Sequence, residues 1–336
     1  MYPKLNKAAF EKYFEGFYLI DCVVRKNDLM YFLLEETLDE DASDEKKRKM
    51  ITRLIEYDTA DPNVSPWGYQ DLKGMQTLKA GVSYLPKEQF VGVSLNGHVY
   101  VLGSGDDELE EDLKGSNSKE LKAAKAPVEA YLLRGGISRL KTIDGYVYGC
   151  GLGRTVITRH GKNDWFYHLQ LPKNKHFLDD NGFEDIDGFS GKDIYAAGGH
   201  GDIWHYDGER WKQRAFPSNM TLETICCAGD GEVYIGAEQG TVFKGCGERW
   251  EMIYRGNMAL PYRDMVWYEG RVWCTSDYGL WTITNGKLEE ADVPGFVAGC
   301  SGHLSVGDGV LLLAGIYGAV LYDGKTWQPI IDYSNL

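Results

Sequence analysis

Four glycines, Gly201, Gly240, Gly279 and Gly318, stand 39 residues apart each time. Gly208, Gly247 and Gly286 keep the same interval, as do Trp211 and Trp250, and the series Tyr195, Tyr234, Trp273 and Leu312. Several independent markers at one period make a tandem structural repeat the first constraint on this chain. Looser copies extend upstream. Tyr148, Tyr100 and Tyr31 continue the aromatic marker at intervals of 47, 48 and 69 residues, so the early copies carry insertions.

Each copy follows one grammar. An apolar segment such as Leu222–Cys227 ends in a glycine turn, and a short strand (VYIG) follows. A turn at Gly240, a third strand (TVF), a second glycine turn and a strand opening with tryptophan (RWEMI) complete the unit. Four short strands joined by tight turns make an antiparallel meander. A lone meander leaves both faces wet, and radial stacking of the units buries them. The chain is therefore expected to be all-β, a β-propeller of four-stranded antiparallel blades. Seven blades are counted from the markers, with six as the alternative.

The phrases DIWHYDGERW and AVLYDGKTW resemble the YDG-x-x-W phrase of bacterial propeller repeats of the two-component-regulator type. Kelch repeats are a more distant likeness, and the Gly-His and Trp-Asp signature of WD40 repeats is absent. The resemblance spans roughly residues 130 to 332 and implies a fold, not a reaction. The expected organisation is an N-terminal arm at 1–16, then one propeller domain over 17–336 with acidic insertions near 35–70 and 104–127. AAFEKYFEGF has helical spacing at Phe10, Tyr13, Phe14 and Phe17, so the arm is read as a helix or as a strand added to the last blade.

Residues 35–49 hold seven acids and four bases, and 106–120 hold seven acids and two lysines. Both are read as solvated loops or as an acidic docking surface. Residues 44–57 read as a helix with Met50, Leu54 and Tyr57 on one face. With 50 acidic against 36 basic residues the net charge is −14. That disfavours nucleic acid and anionic membranes as partners and favours a basic protein. Seven cysteines without a C-x-x-C pair suggest free buried thiols in a reducing compartment. A charged N-terminus and the lack of a long apolar run place the expected protein in the cytoplasm.

Chemistry is sparse. No phosphate-binding loop, nucleophile elbow or H-E-x-x-H zinc motif occurs. His200 and His205 fall outside the repeated pattern and are read as surface variation, so no metal, cofactor or catalytic residue is assigned. Aligning the first strand of each unit instead gathers Arg139, Glu184, Asp185, Glu223, Arg263, Asp264 and His303 at one end of the central channel. These seven form the candidate site, a polar mouth for a partner or a small ligand. Trp67, Tyr69, Trp165, Tyr167, Tyr262, Trp267, Tyr278 and Tyr317 are further candidate contacts.

The expected function is non-enzymatic: a monomeric, acidic propeller that binds a basic protein, for example as an inhibitor or immunity protein masking a cationic toxin such as a nuclease. The alternative is a metal-dependent lactonase or hydrolase, or a carbohydrate-binding protein, using Glu184, Asp185, Glu223 and Asp264. There Arg139 and Arg263 would oppose a cation.

Overall fold

The computed structural model describes residues 2–39, 43, 46, 49–113, 133–172 and 182–333. They form a seven-bladed β-propeller, each blade a sheet of four antiparallel strands in sequence order. Blade 1 holds β1 (Phe17–Lys26), β2 (Leu29–Glu36), β3 (Ile51–Asp58) and β4 (Trp67–Lys73). Blade 2 holds β5 (Lys79–Ser83), β6 (Gln89–Val93), β7 (Val99–Gly103) and β8 (Asp106–Leu109). Blade 3 holds β9 (Ile137–Ile143), β10 (Tyr146–Gly151), β11 (Thr155–Gly161) and β12 (Asp164–Tyr167). Blade 4 holds β13 (Asp185–Ser190), β14 (Asp193–Gly198), β15 (Asp202–Tyr206) and β16 (Trp211–Gln213). Blade 5 holds β17 (Leu222–Cys227), β18 (Val233–Ala237), β19 (Thr241–Cys246) and β20 (Arg249–Tyr254). Blade 6 holds β21 (Asp264–Tyr268), β22 (Arg271–Ser276), β23 (Gly279–Thr284) and β24 (Lys287–Glu290). Blade 7 holds β25 (His303–Gly307), β26 (Val310–Gly315), β27 (Gly318–Tyr322) and β28 (Trp327–Asp332).

Two compact units divide these strands, Lys79–Met265 and Met1–Leu78 with Val266–Leu336. Within the first unit β5, β9, β13 and β17 lie side by side, and within the second β1 lies against β25. The first strand of a blade is thus the inner one.

The repeat markers explain the packing. Gly201 turns the chain from the second strand to the third at φ +70°, and a Cβ there would stand 2.1 Å from the Ser218 carbonyl. Only glycine meets both demands. The aromatic marker sits on the second strand, buried, and meets the tryptophan of the next blade's outer strand. Tyr195 is 6.2 Å from Trp250 and Trp273 is 5.7 Å from Trp327, both edge-on. Tyr100 departs from this scheme. It lies on β7, a third strand, so its match to the series is a coincidence of spacing.

From Ile51 on, the helix expected at 44–57 is a strand instead, while 44, 45, 47 and 48 lie outside the described residues. Ile51–Asp58 alternates in burial along β3, and Leu54 and Tyr57 reach the core because ladder pairing to β2 and β4 overrides the weak helical pattern. The acids near 106 also have structural duties. Glu108 pairs with Lys162 at 2.6 Å and Asp106 with Lys87 at 2.7 Å. Glu110 holds the buried Arg159 of blade 3 at 2.5 Å. Residues 114–132 of that insertion lie outside the described residues, as do several between 40 and 48.

In the second unit the N-terminal arm forms a helix and touches the last blade through one backbone hydrogen bond, without adding a strand to it. Lys7–Tyr13 form helix α1, capped by the Asn6 side chain, and the Leu5 amide donates to the Ile330 carbonyl of β28 at 2.9 Å. Leu5, Tyr13 and Phe14 are buried with residues of blades 1 and 7. Phe14 is 1% exposed and stands edge-on to Trp67 at 5.5 Å. Phe14→Ala should lower stability by about 3 kcal/mol, read as a shift of the urea midpoint. An unchanged midpoint would mean the arm is not part of the cooperative core.

His168, just beyond β12, is a neutral spoke in an aromatic cluster with Phe166, Tyr206 and Trp211. The Trp211 indole N–H donates to its Nδ1 at 3.2 Å, and Nε2 faces the Thr158 hydroxyl at 2.9 Å. Burial, with His160 nearby, holds its pKa down to about 4. A depressed histidine contributes stability above its unfolded pKa of about 6.5 and loses it as pH falls toward 4, on the order of 3 kcal/mol. His168→Gln should therefore flatten the stability profile between those values. Equal pH slopes in both proteins would contradict the assignment.

Candidate functional site

An inner strand has a ladder partner on one side only, so its other row of N–H groups needs acceptors. Short side chains of the preceding blade supply them. Asp185 on β13 accepts from the Ile225 amide of β17 at 3.0 Å, and Asp187 from the Cys227 amide at 2.8 Å. Two residues apart on a strand, these N–H groups point the same way. Thr224 donates its hydroxyl to Asp185 at 2.9 Å and accepts from the Met265 amide of β21 at 3.2 Å. Asp144 accepts from Gly191 at 2.6 Å. In the second unit Thr275 accepts from Gly302 at 3.1 Å, Ser305 from Val24 at 2.9 Å and Asp308 from Asn27 at 3.0 Å.

The seven candidate residues divide on this frame. Arg139 of β9 bridges two carboxylates, with Nη1 2.7 Å from Asp264 and Nε 3.5 Å from Asp185. Its Nη2 donates to the Arg263 carbonyl at 2.8 Å, while the Arg263 side chain is exposed. Asp185 and Asp264 are buried. Glu184 and Glu223 are half-buried beside them. Burial raises the Glu184 pKa against the pull of Arg139 and Lys79, and burial with repulsion from Glu184 and Glu238 raises that of Glu223. His303 belongs to the second unit, at the start of β25, with Nδ1 3.9 Å from Asp21.

Lys141 and Asp187 went unassigned in the sequence, although each follows a named residue by two positions on the same strand. Burial works against the Lys141 charge, but Asp185, Asp187 and Asp264 outweigh it and raise the pKa. Burial pushes Asp187 up to about 6 despite Lys141 and two backbone donors. The inner strands thus hold an interleaved set of opposite charges. A divalent ion between Asp185 and Asp264 would have to displace the Arg139 guanidinium. Among the described residues no group of three or more His, Cys, Asp or Glu is placed to hold a metal.

The histidines of the opening repeat also resolve. His205 stacks on Tyr195 at 4.2 Å, faces Asp193 at 2.7 Å through Nε2 and receives Arg214 at Nδ1 at 2.8 Å. It is packed, not surface variation, whereas His200 is exposed on its turn. Of the candidate contact aromatics, Trp67 and Tyr262 are core residues. Tyr69, Tyr278 and Tyr317 are exposed by 47%, 60% and 69%.

These features define a seven-bladed propeller whose inner charges are tied into its frame. Solved structures agree on the fold. The chain is similar to the WD40 β-propeller domain of Doa1, with a TM-score of 0.61 and 14% identity over 92% of this chain and 94% of that one. It is similar also to the WD40 repeats of RRP9, at 0.60 and 10% over 94% and 92%. No family model matches the chain. A curated relative narrows the class. The immune protein Tsi7 of Pseudomonas aeruginosa is 31% identical over 320 residues, 92% of this chain and 95% of that protein. The chain belongs to the Tsi7 immune protein family.

Asp185→Ala would strand two backbone amides, the Thr224 hydroxyl and part of the Arg139 charge at once. A loss on the order of 3–5 kcal/mol is expected in chemical denaturation. A loss below about 1 kcal/mol would show that the clip carries little of the frame's stability.

Proposed function

We propose that this protein is an immunity protein: it binds a protein toxin tightly and without catalysis, and so protects the cell that makes both. The observation that carries this reading is the 31% identity to the immune protein Tsi7 across 92% of the chain. Physical features support it. The charges of the inner strands are engaged with one another and with backbone amides, which suits a rigid scaffold more than a reaction centre. The net charge of −14 favours a basic toxin surface and a fast, steered encounter. On this reading the protein acts as a monomer in the cytoplasm, where a toxin arriving from outside or made beside it would be met.

The test is co-expression with the basic, toxin-like protein that this reading expects in a neighbouring reading frame. The chain should restore growth, and the purified pair should form a one-to-one complex. Association should slow by at least tenfold between low and high salt. No growth protection and no complex would overturn the reading. A rate indifferent to salt would remove the basic surface from it.

A further inference from the structure

Four residues share one place in the repeat: His200, Gln239, Tyr278 and Tyr317, each 39 residues from the next and each directly before a repeat glycine. The glycine makes the turn, and the residue before it serves the fold through its backbone, as where His200 bridges to Thr221 and the Gln239 carbonyl accepts from Met258, while its side chain is exposed. Blades 4 and 5 place polar side chains there. Blades 6 and 7 place tyrosines, exposed by 60% and 69%. Water-facing aromatics at a position that readily takes polar residues call for an explanation outside folding.

Within the second unit two more apolar residues are exposed, Phe296 at 49% and Ile316 at 55%, on segments that backbone contacts tie together. Phe296 lies in the short helix α2 (Gly295–Ala298), on the strap that leads from blade 6 to blade 7. The strap is pinned to both turns. Thr275 accepts from the Gly302 amide at 3.1 Å and reaches the Gly279 carbonyl at 3.3 Å. Cys300 donates to the Phe296 carbonyl at 3.3 Å, and a Cβ on Gly318 would lie 3.2 Å from its sulfur. A Cβ on Gly315 would lie 2.1 Å from the Ser301 carbonyl. The apolar tips are therefore held in place before any partner arrives, which lowers the ordering cost of binding.

The segments that carry these residues and the strap between them hold charge of one sign. Residues 276–279, 290–302, 315–318 and 331–333 contain Asp277, Glu290, Asp292 and Asp332 and no Lys, Arg or His. An aromatic centre with an acidic rim is the complement of an apolar patch bordered by lysine or arginine. We infer that Tyr278, Phe296, Ile316 and Tyr317 form the toxin-docking surface, with Tyr278 and Tyr317 as anchors and Asp277 and Asp292 steering a basic toxin face. This rests on the immunity reading and locates its interface outside the inner-strand charges.

The experiment pairs two double variants with the same toxin-like protein in a non-toxic form. Tyr278→Gln with Tyr317→Gln borrows the residue blade 5 uses, so the melting temperature should hold. Toxin affinity should fall at least tenfold through faster dissociation. Asp277→Lys with Asp292→Lys should slow association several-fold and flatten its salt dependence. Tyr254→Gln on the outer strand of blade 5 should bind as wild type. Wild-type kinetics in both double variants would overturn this surface and leave the immunity reading intact. A wild-type chain that does not bind the toxin would overturn that reading and this surface with it.

Discussion

The unpaired edge of the inner strand is the constraint on which the molecule turns. Each blade begins with a strand that has hydrogen-bond partners on one side only, and a row of amides there would otherwise be left without protein acceptors. The solution recurs from blade to blade: a short acidic or hydroxyl side chain accepts an N–H from the next inner strand. Asp185 and Asp187 do this for blade 5, Thr224 for blade 6, Thr275 for blade 7, and Ser305 and Asp308 for blade 1. Packing of aromatic markers between sheets is non-directional. The clips add direction, and with it the register of one blade against the next.

The period of 39 made the fold and the blade count legible, because turn glycines and packed aromatics are residue types with few substitutes. Blade 2 was harder to read. Its second strand, QFVGV, carries no aromatic at the marker position, and Tyr100 on the third strand stood in for it. The acids from Asp106 to Glu110 looked like a solvated run because pairing to Lys87, Lys162 and Arg159 is invisible without the partner blade. The inner-strand charges were found by register, and Arg139, Asp185 and Asp264 do meet. Their role was not readable, since acceptor geometry toward a neighbouring backbone leaves no mark in composition. Lys141 and Asp187 were accessible to the rule of alternate residues on a strand.

A frame that uses several of its buried charges for its own cohesion leaves its exposed turns available for recognition. At the turns of blades 4 and 7 the glycine is fixed by φ and by backbone crowding, while the exposed side chain of its predecessor varies among His, Gln and Tyr over blades 4 to 7. A family built this way can alter its recognition surface without disturbing its core.

The clips of blade 7 on blade 1 join Ser305 to Val24 and Asp308 to Asn27, residues separated by 281 positions. During synthesis the amides of β1 are made early, and their acceptors emerge only when the last blade does. Until then blade 1 has an open edge and an incomplete core, since Leu312, Ala314 and Leu321 pack with Leu19 and Val24. Such non-local pairing makes closure a late event in folding. Until blade 7 has been made, then, the growing chain is an open stack of blades, and only with that blade can the second unit close.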